Sequence, residues 1–265
     1  MKLAGFFHAG KNIKTAKRAF AVSLTAFVLW LSGFFLLRGF FFNAVPAATE
    51  ERKLPVYSVE TQEKKIAISF DCAWGVEYTD QLLETMQKHG VKCTFFAVEF
   101  WVEKYPEYAK KIVDAGHELG THSKTHPYMS KLSQAQIQEE LTSSSEAIER
   151  ATGVKPTLFR PPYGDYNNLV ISSSLALGLF PIQWDVDSLD WKNLSATEIS
   201  LRVINGTREG SIILCHNNGL HTAEALPMIF STLQNRGYEF VPIGELIYKE
   251  NYTIDHTGRQ HGGAV

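Results

Sequence analysis

Two histidines four residues apart in THSKTHPYMS, His122 and His126, stand out as groups able to do chemistry. On one helical turn both imidazoles would face a single point and could grip one divalent ion. Asp71 closes the apolar run IAISFD, and a carboxylate there can act as general base on a water within hydrogen-bond reach. Arg160 in FRPPYGD carries a guanidinium able to hold such a carboxylate through a bidentate contact. Pro161 and Pro162 fix the backbone after it, so the Tyr163 amide would be held rigidly enough to serve as an oxyanion donor. Asp185, Asp187 and Asp190 crowd three carboxylates into WDVDSLDW, which costs repulsion unless cations or histidines neutralise them. His216 in ILCHN is their natural partner, and a carboxylate-oriented histidine can protonate a leaving amine. Base, acid and orienting groups together describe a hydrolase. A zinc metalloprotease does not fit, because Ser123 stands where the glutamate of H-E-x-x-H would be.

These groups need a rigid frame. Short β-branched or aromatic runs alternate with longer amphipathic stretches, the pattern of repeated βα units around parallel strands. Strands are expected over 66–71, 92–98, 117–120, 157–160, 180–185, 211–216 and 239–241. Helices are expected over 81–90, 106–115, 133–151, 169–177, 197–205, 222–236 and 243–250, with Ser133 as N-cap and Gly153 just past the end of its helix. About seven βα units result. Asp71, His122, Arg160, Asp185 with Asp187, and His216 all fall at or just after the C-terminal ends of these strands, where barrels of this kind gather their catalytic groups.

Ahead of this domain, residues 19–37 run without a charge for long enough to cross a bilayer as a helix. Lys2, Lys11, Lys14, Lys17 and Arg18 precede them with no acidic residue. The positive-inside tendency therefore makes 1–18 a cytoplasmic arm, 19–42 a transmembrane signal-anchor segment, and everything beyond it extracytoplasmic at the cell membrane. Val45, Pro46 and Ala47 also read as a small-residue cleavage site, so release after processing is the alternative to a single-pass anchor. Residues 43–62 read as a linker, 63–250 as the catalytic domain, and 251–265 as a polar tail to which His256 and His261 belong.

The net charge of −2 gives no field that would hold a polyanion, which disfavours nucleic acid as a partner. Three cysteines without close C-x-x-C spacing are expected as buried thiols, not a disulfide framework. Nothing in the chain specifies an oligomeric state.

In order, S-F-D, H-S-x-x-H, R-P-P-Y, D-S-x-D-W and L-x-H resemble the five signature motifs of the polysaccharide deacetylases, the NodB-homology domain of carbohydrate esterase family four. The resemblance covers about 64–246 and is nearest to the sporulation-associated, PdaB-type branch. It implies a distorted (β/α)7 barrel and metal-assisted removal of acetyl from N-acetylated wall or spore-cortex glycan of the peptidoglycan type. By resemblance Asp71 matches the catalytic base, His122 and His126 the ligands of zinc or a similar divalent metal, and Arg160 the residue steadying the base. Tyr163 matches the oxyanion donor, His216 the catalytic acid, Asp190 its partner, and Trp191 with Leu214 the apolar walls that receive the acetyl methyl.

The first motif departs from the pattern. Family members usually read T-F-D-D-G, with the second aspartate as third metal ligand, and here Cys72 takes its place. A thiolate at Cys72 or the Asp71 carboxylate would have to complete the site. Otherwise metal binding and catalysis weaken, and the domain serves as a non-catalytic glycan-binding or sporulation-signalling module.

Overall fold

The computed structural model describes residues 9–42 and 51–263. The chain divides into two compact units, Met1–Glu51 and Arg52–Val265. In the first, α1 (Ala9–Phe42) is one helix, and its stretch Lys17–Phe34 is long and apolar enough to cross a membrane. The expected cleavage site at 45–47 and the start of the basic arm, 1–8, lie outside the described residues.

The second unit runs β1 (Ser58–Val59), β2 (Lys65–Cys72), α2 (Thr79–His89), β3 (Thr94–Ala97), α3 (Glu99–Lys104), α4 (Pro106–Asp114), β4 (Glu118–Thr121), α5 (Gln134–Thr152), β5 (Leu158–Phe159), α6 (Asn168–Ala176), β6 (Phe180–Pro181), β7 (Val186–Asp187), α7 (Ala196–Gly206), β8 (Ile212–His216), α8 (Thr222–Asn235), β9 (Glu239–Phe240), α9 (Ile243–Leu246), β10 (Tyr252–Ile254) and β11 (Arg259–Gly262). Parallel strands follow the order β6-β5-β4-β3-β2-β8-β7, and β9 adds to the start of β2. This curled sheet is the distorted (β/α)7 barrel that the resemblance implies, and its parallel strands are those that the alternating pattern predicts.

Period-two alternation along β2 sorts its side chains. Ile66, Ile68, Phe70 and Cys72 pack into the larger core cluster together with residues of α2, α3, α4, α7 and α8. Ala67 belongs to a second cluster with Phe96, Leu158, Ile182 and Ile212, while Ser69 binds the Ile213 carbonyl at 2.7 Å and Asp71 reaches the rim. Burying about 40 apolar side chains in these two clusters is what fixes the register, because a one-residue slip would exchange the two sets.

Local signals hold α5 where the sequence places it. The Ser133 side chain accepts from the Gln136 amide, Gln136 returns the contact, and Gly153 ends the helix at φ 78°. Two domain boundaries are corrected. The linker read over 43–62 and the tail read over 251–265 both supply strands: β1 pairs parallel with β11, and β11 pairs antiparallel with β10. Val56 also bridges Ile182 beyond β6, and Ser58 bridges Ser211 ahead of β8. His261 is not loose tail: its ring nitrogens meet Glu60 at 2.7 Å and Asp255 at 2.9 Å.

Candidate active site

The C-terminal ends of six strands and the loops after them enclose a cleft of about 660 Å³, lined among others by Asp71, His122, His126, Tyr163, Trp191, Leu214 and His216. Asp71 and His216 are register partners on adjacent strands, so the sheet itself sets the carboxylate and the imidazole side by side. Arg160, fully buried, follows β5 and donates from Nη1 to Asp71 Oδ1 at 2.8 Å. Its Nη2 donates to the Gln183 carbonyl at 3.2 Å, and its guanidinium lies 4.2 Å from the Phe96 ring centroid, a cation–π contact from below. The contact with Asp71 is thus single rather than bidentate. Burial alone would raise the Asp71 carboxyl, but Arg160 and the His122 and His216 imidazoles outweigh it and hold it below the ordinary carboxylate value. Asp71 is a carboxylate at neutral pH, as a general base must be.

On the other side of the cleft, His216 Nδ1 meets Asp190 Oδ1 at 2.7 Å. The fully buried Asp190 also accepts from the His216 amide and from the Thr222 hydroxyl, each at 2.7 Å. Burial lowers the affinity of His216 for its proton, but Asp190, with Asp71 and Asp187, more than reverses this and raises the imidazole above 6.5. Close packing here requires Gly219, where a Cβ would come within 2.9 Å of Asp190 Oδ2. Of the three crowded carboxylates, Asp190 alone pairs with His216. Asp185 accepts from the Ile212 amide, Ser211 and Arg208 at the start of β8, and Asp187 accepts from the Leu189 amide.

His122 and His126 converge, though not on a helical turn. Ser123 at φ 74° and His126 at φ 59° reverse the chain in the left-handed region, which disfavours side chains other than glycine. Their Nε2 atoms end 3.2 Å apart. Nδ1 of His122 lies 2.7 Å from the Arg160 carbonyl, so it carries the proton and leaves Nε2 as the lone-pair atom. Burial depresses both imidazoles, His126 to about 4 with help from His122, and so keeps both neutral.

Two imidazole nitrogens at this separation match two legs of a tetrahedral zinc site with bonds of about 2.0–2.1 Å. A third protein ligand is not arranged. Cys72 packs into the helix-side core with its thiol 3.8 Å from the Phe70 carbonyl, its pKa driven well up by burial, and it does not line the cleft. Asp71 comes nearer, with Oδ2 3.5 Å from His122 Nε2, but its other oxygen is held by Arg160. Among the described residues no group of three or more His, Cys, Asp or Glu is disposed to hold an ion. The donor set is therefore short of the three protein ligands a catalytic zinc requires, and Cys72 as the completing ligand is set aside on its orientation.

Tyr163 sits in a short 3₁₀ turn at φ 58°, directly after Pro161 and Pro162. Its ring is exposed, stacks on Tyr128 at 4.5 Å and meets His126 edge-on at 4.5 Å. Trp191 is exposed and Leu214 buried, both on the cleft wall. The sequence reading passed over Trp74 and Trp184, which also line the cleft, and Thr222, which braces Asp190. An exposed aromatic three residues past a strand-ending acid was an available signal for Trp74. Nothing local marks Thr222.

Fold and site together define a curled parallel half-barrel with a carboxylate and a carboxylate-backed histidine facing one cleft. The polysaccharide deacetylase family model matches residues 58–182. The chain is 32% identical over 196 residues to a peptidoglycan-N-acetylglucosamine deacetylase of Bacillus cereus, covering 72% of this chain and 92% of that one. It is 36% identical over 193 residues to the uncharacterized protein YlxY of Bacillus subtilis and 35% identical over 209 residues to the peptidoglycan-N-acetylglucosamine deacetylase PgdA of Listeria monocytogenes, covering 73% and 79% of this chain. It spans 60% of the former's length and 43% of the latter's. Among solved structures it resembles BA3943 of Bacillus anthracis, a family 4 carbohydrate esterase pseudoenzyme, with TM-score 0.71 and 34% identity over 79% of this chain and 73% of that one. The chain belongs to the polysaccharide deacetylase family, carbohydrate esterase family four.

Proposed function

We propose that this chain hydrolyses acetamide groups on an N-acetylated wall or spore-cortex glycan of the peptidoglycan type, outside a membrane to which α1 anchors it. The observation that carries this reading is the placement of Asp71, backed by Arg160, and His216, backed by Asp190, on neighbouring strands at one cleft. Water bound against Asp71 gives up a proton to that carboxylate as its oxygen bonds to the acetamide carbon. The carbonyl oxygen takes the negative charge and accepts from the Tyr163 amide. His216, protonated and aimed by Asp190 through Nδ1, gives its Nε2 proton to the nitrogen as the C–N bond breaks. Acetic acid, which ionises to acetate, and a free amine result; the proton held by Asp71 passes to solvent and His216 takes one up from it, which restores the starting state. Trp191 and Leu214 form the apolar wall against which the methyl group rests. No step is routed through a metal, because the donor set does not complete a site for one.

Membrane attachment is supported by the length and apolarity of Lys17–Phe34, and the peptidoglycan substrate by the relatives' names. The test is acetate release from peptidoglycan or N-acetylglucosamine oligomers by the full chain in micelles of a sugar-free detergent. Asp71→Asn and His216→Ala should each lower the rate by roughly 10²–10⁴-fold. No release from any N-acetylated glycan would overturn the assignment.

The incomplete donor set favours a second reading: a domain that keeps the cleft for glycan binding without turnover. Membership of BA3943, a pseudoenzyme, in the same family supports it. Glycan binding that survives Asp71→Asn, with no turnover by the unsubstituted chain, would select it.

A further inference from the structure

The parallel sheet ends at β6 on one side and at β7, beside β8, on the other. A short stretch ahead of β2 reaches across this open side. Val56 donates to the Pro181 carbonyl at 3.0 Å and accepts from the Gln183 amide at 2.8 Å, next to β6, and the Val59 amide donates to the Gly210 carbonyl at 2.9 Å, ahead of β8. Gly210 permits that approach, since a Cβ there would strike the Val59 carbonyl. Both valines are buried in one cluster with Ile182 and Ile212. From outside, the stretch is held by β11: the Tyr57 amide donates to the Gly258 carbonyl at 2.9 Å and the Glu60 amide to the Gln260 carbonyl at 2.7 Å.

One imidazole fastens this arrangement. Nδ1 of His261 lies 2.7 Å from Glu60 Oε2, and its Nε2 lies 2.9 Å from Asp255 Oδ2. A neutral imidazole has a single N–H, so a carboxylate at each nitrogen is satisfied only by the imidazolium, which donates from both. Asp255 is fixed in place, its Oδ1 accepting from the Thr257 amide and hydroxyl and from the Arg259 amide. From the loop after α9, the Tyr248 hydroxyl donates to the Glu60 carbonyl at 3.1 Å. Among the described residues neither carboxylate pairs with a lysine or arginine, which leaves His261 as their countercharge. We propose that His261 is a proton-operated latch on the stretch that closes the barrel: charged, it ties Glu60 to the turn between β10 and β11, and on losing its proton it lets one carboxylate go and loosens residues 56–60. The latch does not depend on the deacetylase reading.

Asp255, and after it Glu60, raise the imidazole above 6.5, while the Thr257 hydroxyl and His261 hold the Asp255 carboxyl well below 3.8. The fastening is therefore complete below 6.5, fades as pH rises through the higher folded value, and keeps its Asp255 charge until pH falls well below 3.8.

The experiment is amide hydrogen exchange on the full chain in micelles of a sugar-free detergent, at about pH 5.5 and about pH 8.5 on either side of the ordinary histidine range, beside NMR titration of the histidine rings. After correction for the intrinsic pH dependence of exchange, protection of the Tyr57 and Glu60 amides should fall by roughly threefold to tenfold at the higher pH. In His261→Gln the fall should vanish, with protection at both pH values equal to that of the unsubstituted chain at the higher one. A side chain needed only for packing would instead lower protection equally at both. Should His261→Gln fail to fold, Glu60→Gln should lower the imidazole pKa and shrink the fall. A His261 ring that titrates at or below 6.5, protection that does not change with pH in the unsubstituted chain, or a fall that persists in His261→Gln overturns the proposal.

Discussion

Arg160 and Asp71 form an ion pair at 2.8 Å in which the guanidinium is wholly buried and the carboxylate only 7% exposed. Removing one partner of such a pair leaves an uncompensated charge in a low dielectric. Arg160→Ala is expected to cost about 3–5 kcal/mol of stability near neutral pH. The Asp71 carboxyl is depressed below 3.8 in the folded state, so its contribution is complete above that value and is lost as pH falls through the depressed one. Without Arg160 burial raises the carboxyl, and the gap between variant and unsubstituted chain should narrow as pH falls toward 4. Urea unfolding at two pH values measures it; a gap independent of pH would contradict the assignment.

For His216 the sign is opposite. Its proton affinity is raised above 6.5 by Asp190, so the stabilisation it brings is complete below 6.5 and fades as pH rises through the higher folded value. Asp190→Asn removes the countercharge and leaves burial to dominate. The imidazole pKa, followed by NMR, should drop from above 6.5 to below it, and the alkaline limb of any pH–rate profile should move the same way.

Cys72 faces the core and the histidine pair faces the cleft, which separates their effects on metal binding. Zinc bound by two imidazoles alone should be weak and exchangeable, lost on His126→Ala and unaltered by Cys72→Ser. Elemental analysis after equilibration with zinc distinguishes these. Loss of metal in Cys72→Ser would restore the thiol as a ligand.

Gly219 admits the close approach of Asp190 and Thr222. Gly219→Ala should push the carboxylate from His216 and lower its pKa while the fold persists, visible as an unchanged far-ultraviolet dichroism with a shifted imidazole titration.

At a distance from the cleft, Ser133→Ala deletes the cap of α5. A loss of about 1 kcal/mol is expected with no change in glycan binding, measured by thermal unfolding beside calorimetry.

Strand-ending residues were readable because period-two burial and the turn chemistry of Pro161–Pro162 are local. Asp71, Arg160 and His216 therefore stand where the pattern of strands puts them, whereas the sequence leaves open the burial of Cys72 in the helix-side core, because the same position is expected to face the site in relatives. The His122–His126 turn was not readable. Its geometry depends on Ser123 and His126 adopting left-handed backbone, as Tyr163, Leu189 and Asn193 also do in neighbouring loops; His and Asn enter that region more readily than most residues, but it is uncommon for all non-glycine types and no local pattern signals it. Only the surrounding packing can hold such conformations. The hairpin of β10 and β11 escaped notice for a different reason: its strands are short and polar, and its partner β1 lies some 200 residues earlier.

Because Ser58 and Val59 pair with Arg259 and Gln260, the two extremities of the folded unit are zipped to one another. Excision of the motif-bearing middle alone would strip Ile182 and Ser211 of their bridges to Val56 and Ser58, and removal of the C-terminal hairpin alone would leave Glu60 without His261. Cutting at either seam therefore wounds the other, and a soluble fragment has to retain both.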